Sequence, residues 1–305
     1  MKLTVYGTRG SLPTPSVQRK GELFSTLEFG GNTTCYLLEA NDGKRHIVDA
    51  GSGIRELGLD KIPSDVNLYI SHTHWGHIQG FPFFKHAYTP GASVNIYGEA
   101  KVTGDLVEKI QQTDPSQVMQ TLQINGIEVK QVFEQQQNER NFPAPLSIMQ
   151  GVGTFTDFIP NGPMYEDDCT RIETAPVNHP GGCVSYKFIE KETGKSVVFC
   201  SDFEPDTNGL DDALVHWWKG ANMVLADGQY ERGSDINPFV PAWGHSDYAT
   251  NVDLAKNAGI GSLLLVHHDP AIDDKHLLGL EERAKTYAGS YLEVALAKEG
   301  RTYEI

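Results

Sequence analysis

The sequence predicts an α/β fold in which sheets are covered by helices. Two observations carry this. Short apolar runs of strand length alternate with helix-like stretches in both halves of the chain. Glycine is frequent, 31 of 305 residues, and many glycines sit beside histidines or acids at the ends of the apolar runs. That is where a rigid sheet carries its working loops.

In chain order, residues 2–6, 34–39, 46–48 and 67–70 read as strands, with Asn41-Asp42-Gly43 as a hairpin turn. Asp49-Ala50-Gly51-Ser52-Gly53 opens a short helix near 54–57, followed by a strand at 94–97 and a helix at 104–112. Residues 113–165 are the least legible. The polar run from Glu134 to Arg140 reads as a solvated loop or helix face, and Pro143, Pro145, Pro160 and Pro163 argue for irregular chain. Strands return at 171–177, 184–189 and 196–200, with a hairpin turn at Glu192-Thr193-Gly194-Lys195. Helices at 211–219, 248–258 and 274–288 then alternate with strands at 223–226, 262–266 and 291–295.

Composition narrows the function classes. Hydrophobic residues make up 39% and charged residues 21%, which is globular rather than disordered composition. The net charge of −15 argues against a nucleic-acid partner, because phosphate backbones select basic surfaces. A small anionic substrate stays open, since bound cations reverse the local field. The longest apolar runs, such as 263–266, fall far short of the roughly 20 residues of a membrane span, so no membrane partner is expected. The first seven residues read as a strand rather than a signal peptide. Cys35, Cys169, Cys183 and Cys200 form no C-x-x-C pair and read as reduced thiols of a cytoplasmic protein.

The densest chemical signal is Ser71-His72-Thr73-His74-Trp75-Gly76-His77, directly after an apolar strand. Three imidazoles in six residues offer several nitrogens to a compact ion. Four more apolar runs end in residues of ligand type: at His179, at Asp202, at His245-Ser246 and at His267-His268-Asp269. Singly, each reads as a turn or cap residue. Together they read as strand-end groups converging on one cleft.

This ordered set resembles the metallo-β-lactamase-fold superfamily, in particular the metal-dependent phosphodiesterases related to tRNase Z. The resemblance runs through Thr8-Arg9-Gly10-Ser11, Gly30-Gly31-Asn32-Thr33-Thr34-Cys35, Asp49-Ala50-Gly51-Ser52-Gly53 and the histidine cluster. It resumes at His179, Asp202, His245-Ser246 and His267, and leaves about 100–170 uncovered. It implies an αββα sandwich, one domain over 1–305 with similar halves at about 1–165 and 166–305, and a homodimer. It also implies two divalent ions, zinc or manganese. His72, His74 and His179 would hold the first ion, His77 and His267 the second, and Asp202 would bridge them. Asp49 and His268 would support the ligands from behind, and Arg9, Asn32 and Ser246 would approach the substrate, with Arg9 equally suited to brace loops through an ion pair.

One position departs from the pattern. The family motif is H-x-H-x-D-H, and the aspartate is replaced here by Gly76. The second metal site is therefore expected to be weakened, by at least the roughly 10–100-fold that loss of a supporting group costs. An engineered or recent loss of the carboxylate, a natural variant with one tight and one weak ion, and a pseudo-enzyme all fit this change.

The resemblance implies hydrolysis of a phosphodiester by metal-bound hydroxide, with His245 protonating the leaving sugar oxygen as general acid. A small phosphodiester or nucleotide, foremost a 3′,5′-cyclic nucleotide, is the expected substrate. The sequence shows no long basic, Gly/Pro-rich arm of the kind tRNase Z uses to grip tRNA. Phe83, Phe84, Tyr88, Tyr230 and Trp243 are candidates for base stacking. Asp227 reads as a turn acid without a catalytic role. The rival readings are a ribonuclease that processes tRNA 3′ ends and a nucleotide-binding pseudo-enzyme. A carbon-centred hydrolase such as a lactonase ranks below these.

Overall fold

Two seven-stranded sheets lie face to face. The computed structural model describes residues 1–57, 65–100, 128–205 and 211–305. The first sheet is built from β1 (Lys2–Gly7), β4 (Cys35–Glu39), β5 (Arg45–Val48), β6 (Asp65–Tyr69), β7 (Ser93–Glu99), β8 (Val152–Phe158) and β16 (Thr302–Glu304). Its strand order is β16-β1-β4-β5-β6-β7-β8. The second sheet holds β9 (Gly162–Glu166), β10 (Thr170–Val177), β11 (Cys183–Glu190), β12 (Ser196–Cys200), β13 (Met223–Asp227), β14 (Ser262–Val266) and β15 (Glu293–Leu296), in sequential order across the sheet. A small hairpin, β2 (Val17–Arg19) and β3 (Glu22–Phe24), stands apart.

Each sheet begins antiparallel and becomes parallel. The pairs β5–β6, β6–β7 and β7–β8 are parallel, as are β12–β13, β13–β14 and β14–β15. The sequence encodes this change. β1 alternates buried and less buried positions, whereas β12 and β13 are buried at every residue. A parallel strand covered on both faces needs such a continuous apolar run.

Helices cover the outer faces. Beside the first sheet lie α1 (Ile54–Leu57), α2 (Trp75–Ile78) and α3 (Val129–Gln136), which contribute Ile54, Leu57, Ile78, Val129 and Phe133 to its outer core. Beside the second lie α4 (Asp212–Trp218), α5 (Tyr248–Ala258) and α6 (Asp274–Ala288), which contribute Trp218, Val252, Leu254, Leu277 and Leu280. Between the sheets, Leu3, Tyr36, Tyr69, Tyr186, Phe188 and Val266 form the central core. Each fully buried Leu, Val or Phe side chain contributes roughly 1.5–3 kcal/mol relative to exposure. The arrangement is the expected αββα sandwich. The three long helices of the second half start on aspartate caps, Asp211, Asp247 and Asp273, whose carboxylates accept otherwise unpaired backbone N–H groups.

The differences from expectation have local causes. The helix expected at 104–112 falls outside the described residues. The stretch expected to be irregular holds α3, β8 and part of β9. α3 exposes Lys130, Gln131, Glu134 and Gln135 and buries Val129, Phe133 and Gln136. Pro163 is accommodated because β9 is an edge strand. The C-terminal strand β16, unexpected from sequence, leaves the second half of the chain and pairs with β1 of the first sheet. The last strand of the second sheet is β15, Glu293–Leu296, slightly later than expected.

Candidate metal centre

Six strand ends deliver the candidate residues to one edge of the sandwich. Asp49 follows β5, His72 follows β6, His179 follows β10, Asp202 follows β12, Asp227 ends β13 and His267 follows β14. β10 is antiparallel to β11, which is antiparallel to β12, so β10 and β12 finish at the same edge. Groups at the carboxyl ends of such strands meet outside the sheet.

The geometry forms three overlapping groups: His72, His74 and His179; His72, His77 and Asp202; and Asp202, Asp227, His245 and His267. In the first, the ligand atoms of His72, His74 and His179 lie within 4.8 Å of one another. His179 Nε2 and His74 Nδ1 are 3.1 Å apart. Asp202 belongs to the other two and faces several imidazoles: His77 Nε2 at 3.2 Å, His267 Nε2 at 3.2 Å and His72 Nε2 at 3.8 Å. Asp202 is thus shared by two of the groups. His72 Nε2 is buried with no hydrogen-bond partner, the state of a nitrogen whose lone pair a cation would take. The donors are imidazoles and a carboxylate, which suit zinc or manganese, so the residues present fit a divalent metal pair.

Supporting contacts fix the ring tautomers. The His77 Nδ1–H donates to Asp49 Oδ2 at 2.7 Å, which leaves Nε2 to face Asp202. Asp49 also accepts from the Ser71 N–H at 2.8 Å. It does so in a left-handed conformation, φ +63°, matched by His267 at φ +60°. Such backbone costs of order 1–3 kcal/mol at a non-glycine residue and persists only where contacts impose it. His179 Nδ1–H donates to the Gly244 carbonyl at 2.8 Å. A Cβ on Gly244 would lie 2.2 Å from His179 Nδ1, so this close approach requires glycine.

Burial pushes His72 and His267 well below the usual histidine range, whereas at His77 burial is outweighed by the charges and hydrogen bonds of Asp202 and Asp49, which raise it to about 10. Burial opposes ionisation of Asp202, but the imidazoles of His267, His77 and His72 outweigh it and hold the carboxyl well below its ordinary value.

Asp227 and His245, members of the third group, also pair with each other. His245 Nδ1 is 2.7 Å from Asp227 Oδ2. The His245 ring stacks on His267, centroids 4.8 Å apart, and meets His179 edge-on at 5.4 Å. Burial pulls the imidazolium down, yet the charge and hydrogen bond of Asp227 raise it to about 8. Burial also pushes Asp227 up, to about 6, against the pull of His245. Asp227 therefore does more than the turn role expected of it, although its other oxygen does accept from the Gln229 N–H. The signal was present: Asp227 closes the apolar run Met223–Asp227 as His267 closes its own. The helix after His245 is capped by Asp247, so His245 is free of that duty.

Four expected roles are corrected. Arg9 is fully buried and donates to the carbonyls of Gly30, Asp269 and Ile272, so it braces loops instead of meeting substrate. Asn32 is held by Glu299 and by Ser52, whose Oγ donates to Asn32 Oδ1. Ser246 is fully buried beside Asn251. His268 bonds the Ala297 carbonyl through Nε2 and meets Phe29 edge-on, which makes it a core residue. Among the stacking candidates, Phe84 and Tyr230 are buried and the Tyr88 hydroxyl donates to the Pro82 carbonyl. Phe83 is exposed and packs edge-on to Phe142, and Trp243 is exposed. Gly76 is buried in the first turn of α2, where a Cβ would lie 3.1 Å from Ser11 N and 3.2 Å from Ser11 Cα.

The family model described as the beta-lactamase superfamily domain matches residues 45–268, which span every candidate ligand and the Asp227–His245 pair. The chain belongs to that superfamily. A putative ribonuclease Z of Mycobacterium tuberculosis is 30% identical over 135 residues, 42% of this chain and 55% of that protein. The match thus spans about half the length of that curated relative. Among solved structures, the metallo-beta-lactamase fold protein YhfI from Bacillus subtilis superposes with TM-score 0.65 at 20% identity, covering 99% of this chain and 98% of that one. A diphosphatase from the PhnP family superposes with TM-score 0.61 at 16% identity, covering 100% and 97%. Both share the metallo-β-lactamase fold. Among the described residues no helix is long and apolar enough to cross a membrane.

Proposed function

We propose that this protein is a metal-dependent phosphodiesterase acting on a small nucleotide-type diester, foremost a 3′,5′-cyclic nucleotide. The observation that carries the reading is the Asp227–His245 pair, 2.7 Å apart, set against the histidines of the metal groups. A phosphodiester has a poor alkoxide leaving group and gains from a positioned acid. A lactone or thioester gains far less.

His72, His74 and His179 would hold one divalent ion, and Asp202 with His77 and His267 a second. Bound ions would supply Lewis-acid charge to the phosphoryl oxygens and lower the pKa of a water. The chain's own residues do the rest. Asp49 and the Gly244 carbonyl orient His77 and His179. Asp227 holds the Nδ1 proton of His245, so the opposite ring nitrogen, Nε2, carries the proton for the leaving oxygen. A P–O bond forms to water, the P–O bond to the sugar breaks, and that proton neutralises the departing alkoxide.

A second reading has its own support, because the sequence relatives are named ribonuclease Z. The expectation against a nucleic-acid substrate is accordingly withdrawn. The net charge of −15 favours the smaller substrate. The test is a panel of bis-p-nitrophenyl phosphate, cyclic nucleotides and pre-tRNA with added Mn²⁺ or Zn²⁺. Turnover of cyclic nucleotides supports the proposal. Cleavage of pre-tRNA alone assigns the ribonuclease, and retention of nucleotide without hydrolysis, even in Gly76→Asp, assigns a binding protein.

A further inference from the structure

Trp243 is 64% exposed, among the larger apolar side chains left open to solvent in the described residues. Its setting is unlike that of an idle surface residue. Ala242 before it has φ +65° and Gly244 after it has φ +84°. The Ala242 N–H donates to Glu204 Oε1 at 2.9 Å, and the Gly244 N–H donates to Glu204 Oε2 at 3.0 Å. One carboxylate therefore grips the backbone on both sides of the tryptophan.

Glu204 is itself fastened to the centre. It lies two residues after Asp202, its N–H donates to the Asn178 carbonyl at 2.8 Å, and the Asn178 side chain donates back to its carbonyl at 3.0 Å. Asn178 precedes His179, and the Gly244 carbonyl accepts from His179 Nδ1. The loops carrying Asp202, His179 and His245 are thus locked together, with Trp243 projecting from the lock. Strain at a non-glycine residue imposed by such contacts, beside a candidate active centre, marks a position whose geometry is selected for use. A second exposed tryptophan, Trp75, also 64% exposed, adjoins His74, whose ring nitrogen faces His179.

We propose that Trp243, positioned by Glu204, is a stacking platform for the flat aromatic group of the substrate, a nucleobase attached to the scissile phosphoester. This rests on the phosphodiesterase reading and adds to it the base as the recognised part. A tryptophan whose flanking backbone is fixed has less freedom to lose when a ring stacks on it, and stacking tolerates any base because each has a π-face.

The experiment compares adenosine monophosphate with ribose 5-phosphate, which lacks the base, by calorimetry on the metal-loaded full chain. Wild type should bind adenosine monophosphate roughly 10-fold more tightly than ribose 5-phosphate. Trp243→Leu should abolish that preference and leave ribose 5-phosphate affinity within about 2-fold, while Trp243→Phe keeps most of it. Glu204→Gln should reduce the preference with the indole still present. In turnover of a cyclic nucleotide, Trp243→Leu should raise KM more than it lowers kcat.

An unchanged preference in Trp243→Leu overturns the proposal, as does equal loss of both ligands, which marks a structural role. A preference unaffected by Glu204→Gln removes the positioning part. If no diester is hydrolysed but the base preference depends on Trp243, the platform stands and the phosphodiesterase reading falls. Turnover with no dependence on Trp243 gives the reverse.

Discussion

Asp227 Oδ2 lies 2.7 Å from His245 Nδ1, and neither residue belongs to the histidine motif that dominates the sequence. Under the proposed function this pair supplies the acid, which gives it a distinctive signature. His245→Ala should lower kcat at least about 100-fold for a cyclic nucleotide, whose leaving group is an alkoxide. It should cost much less for bis-p-nitrophenyl phosphate, whose leaving group needs no proton. Asp227→Asn should shift the same pattern in the same direction. Equal losses on both substrates would remove His245 from the acid role.

Under the proposed function, Gly76 would leave the two metal sites unequal. The chain should hold one ion firmly and the second at least about 10-fold more weakly, read by metal analysis after stepwise dialysis. Gly76→Asp should tighten the second ion by roughly 10–100-fold. The Ser11 backbone, 3.1 Å from the new Cβ, must yield by a few tenths of an ångström for this, so a small loss in Tm should accompany the gain. Unchanged stoichiometry in a folded variant would show that this position does not limit the site.

Arg9 should behave as a structural residue. Its guanidinium ties the Gly30 carbonyl to those of Asp269 and Ile272, joining the N-terminal loops to the loop after β14. Arg9→Met leaves buried carbonyls unpaired and should cost about 2 kcal/mol or more in urea unfolding. The base preference of the folded fraction should survive. A selective rise in KM without loss of stability would return Arg9 to the substrate.

His46 should confer acid sensitivity. It is buried among Tyr69, Tyr165 and Phe188, and burial pushes its pKa down to about 4. The unfolded chain titrates near 6.5. Between those values the unfolded state binds the extra proton, so stability falls as pH drops from about 6.5 to about 4 and this contribution then levels off. The loss reaches at most about 3 kcal/mol. His46→Phe should remove that part of the slope, measured as the difference in unfolding free energy from wild type at pH 7 and pH 4.5. An identical slope in the variant would contradict it.

Much of this protein was legible in the amino-acid order. Apolar runs such as Ser262–Val266 must be buried strands, and helix α6 begins where Asp273 can cap it. A strand-end histidine or aspartate needs only its local sequence to be recognised, so His72, His179, Asp202 and His267 stood out. What stayed hidden depends on partners far away in the chain. Arg9 looked like a substrate group because its targets lie up to 263 residues later. β16 is too short to announce itself and becomes a strand only because β1 offers an open edge. Asp227 meets a histidine 18 residues on, and the backbone on either side of Trp243 is held by a carboxylate 38 residues before Ala242 and 40 before Gly244. Local propensity and periodicity set the elements and the ligand inventory. Folding alone decided which inventory residues face the centre, because burial and hydrogen-bond geometry are properties of the packed chain.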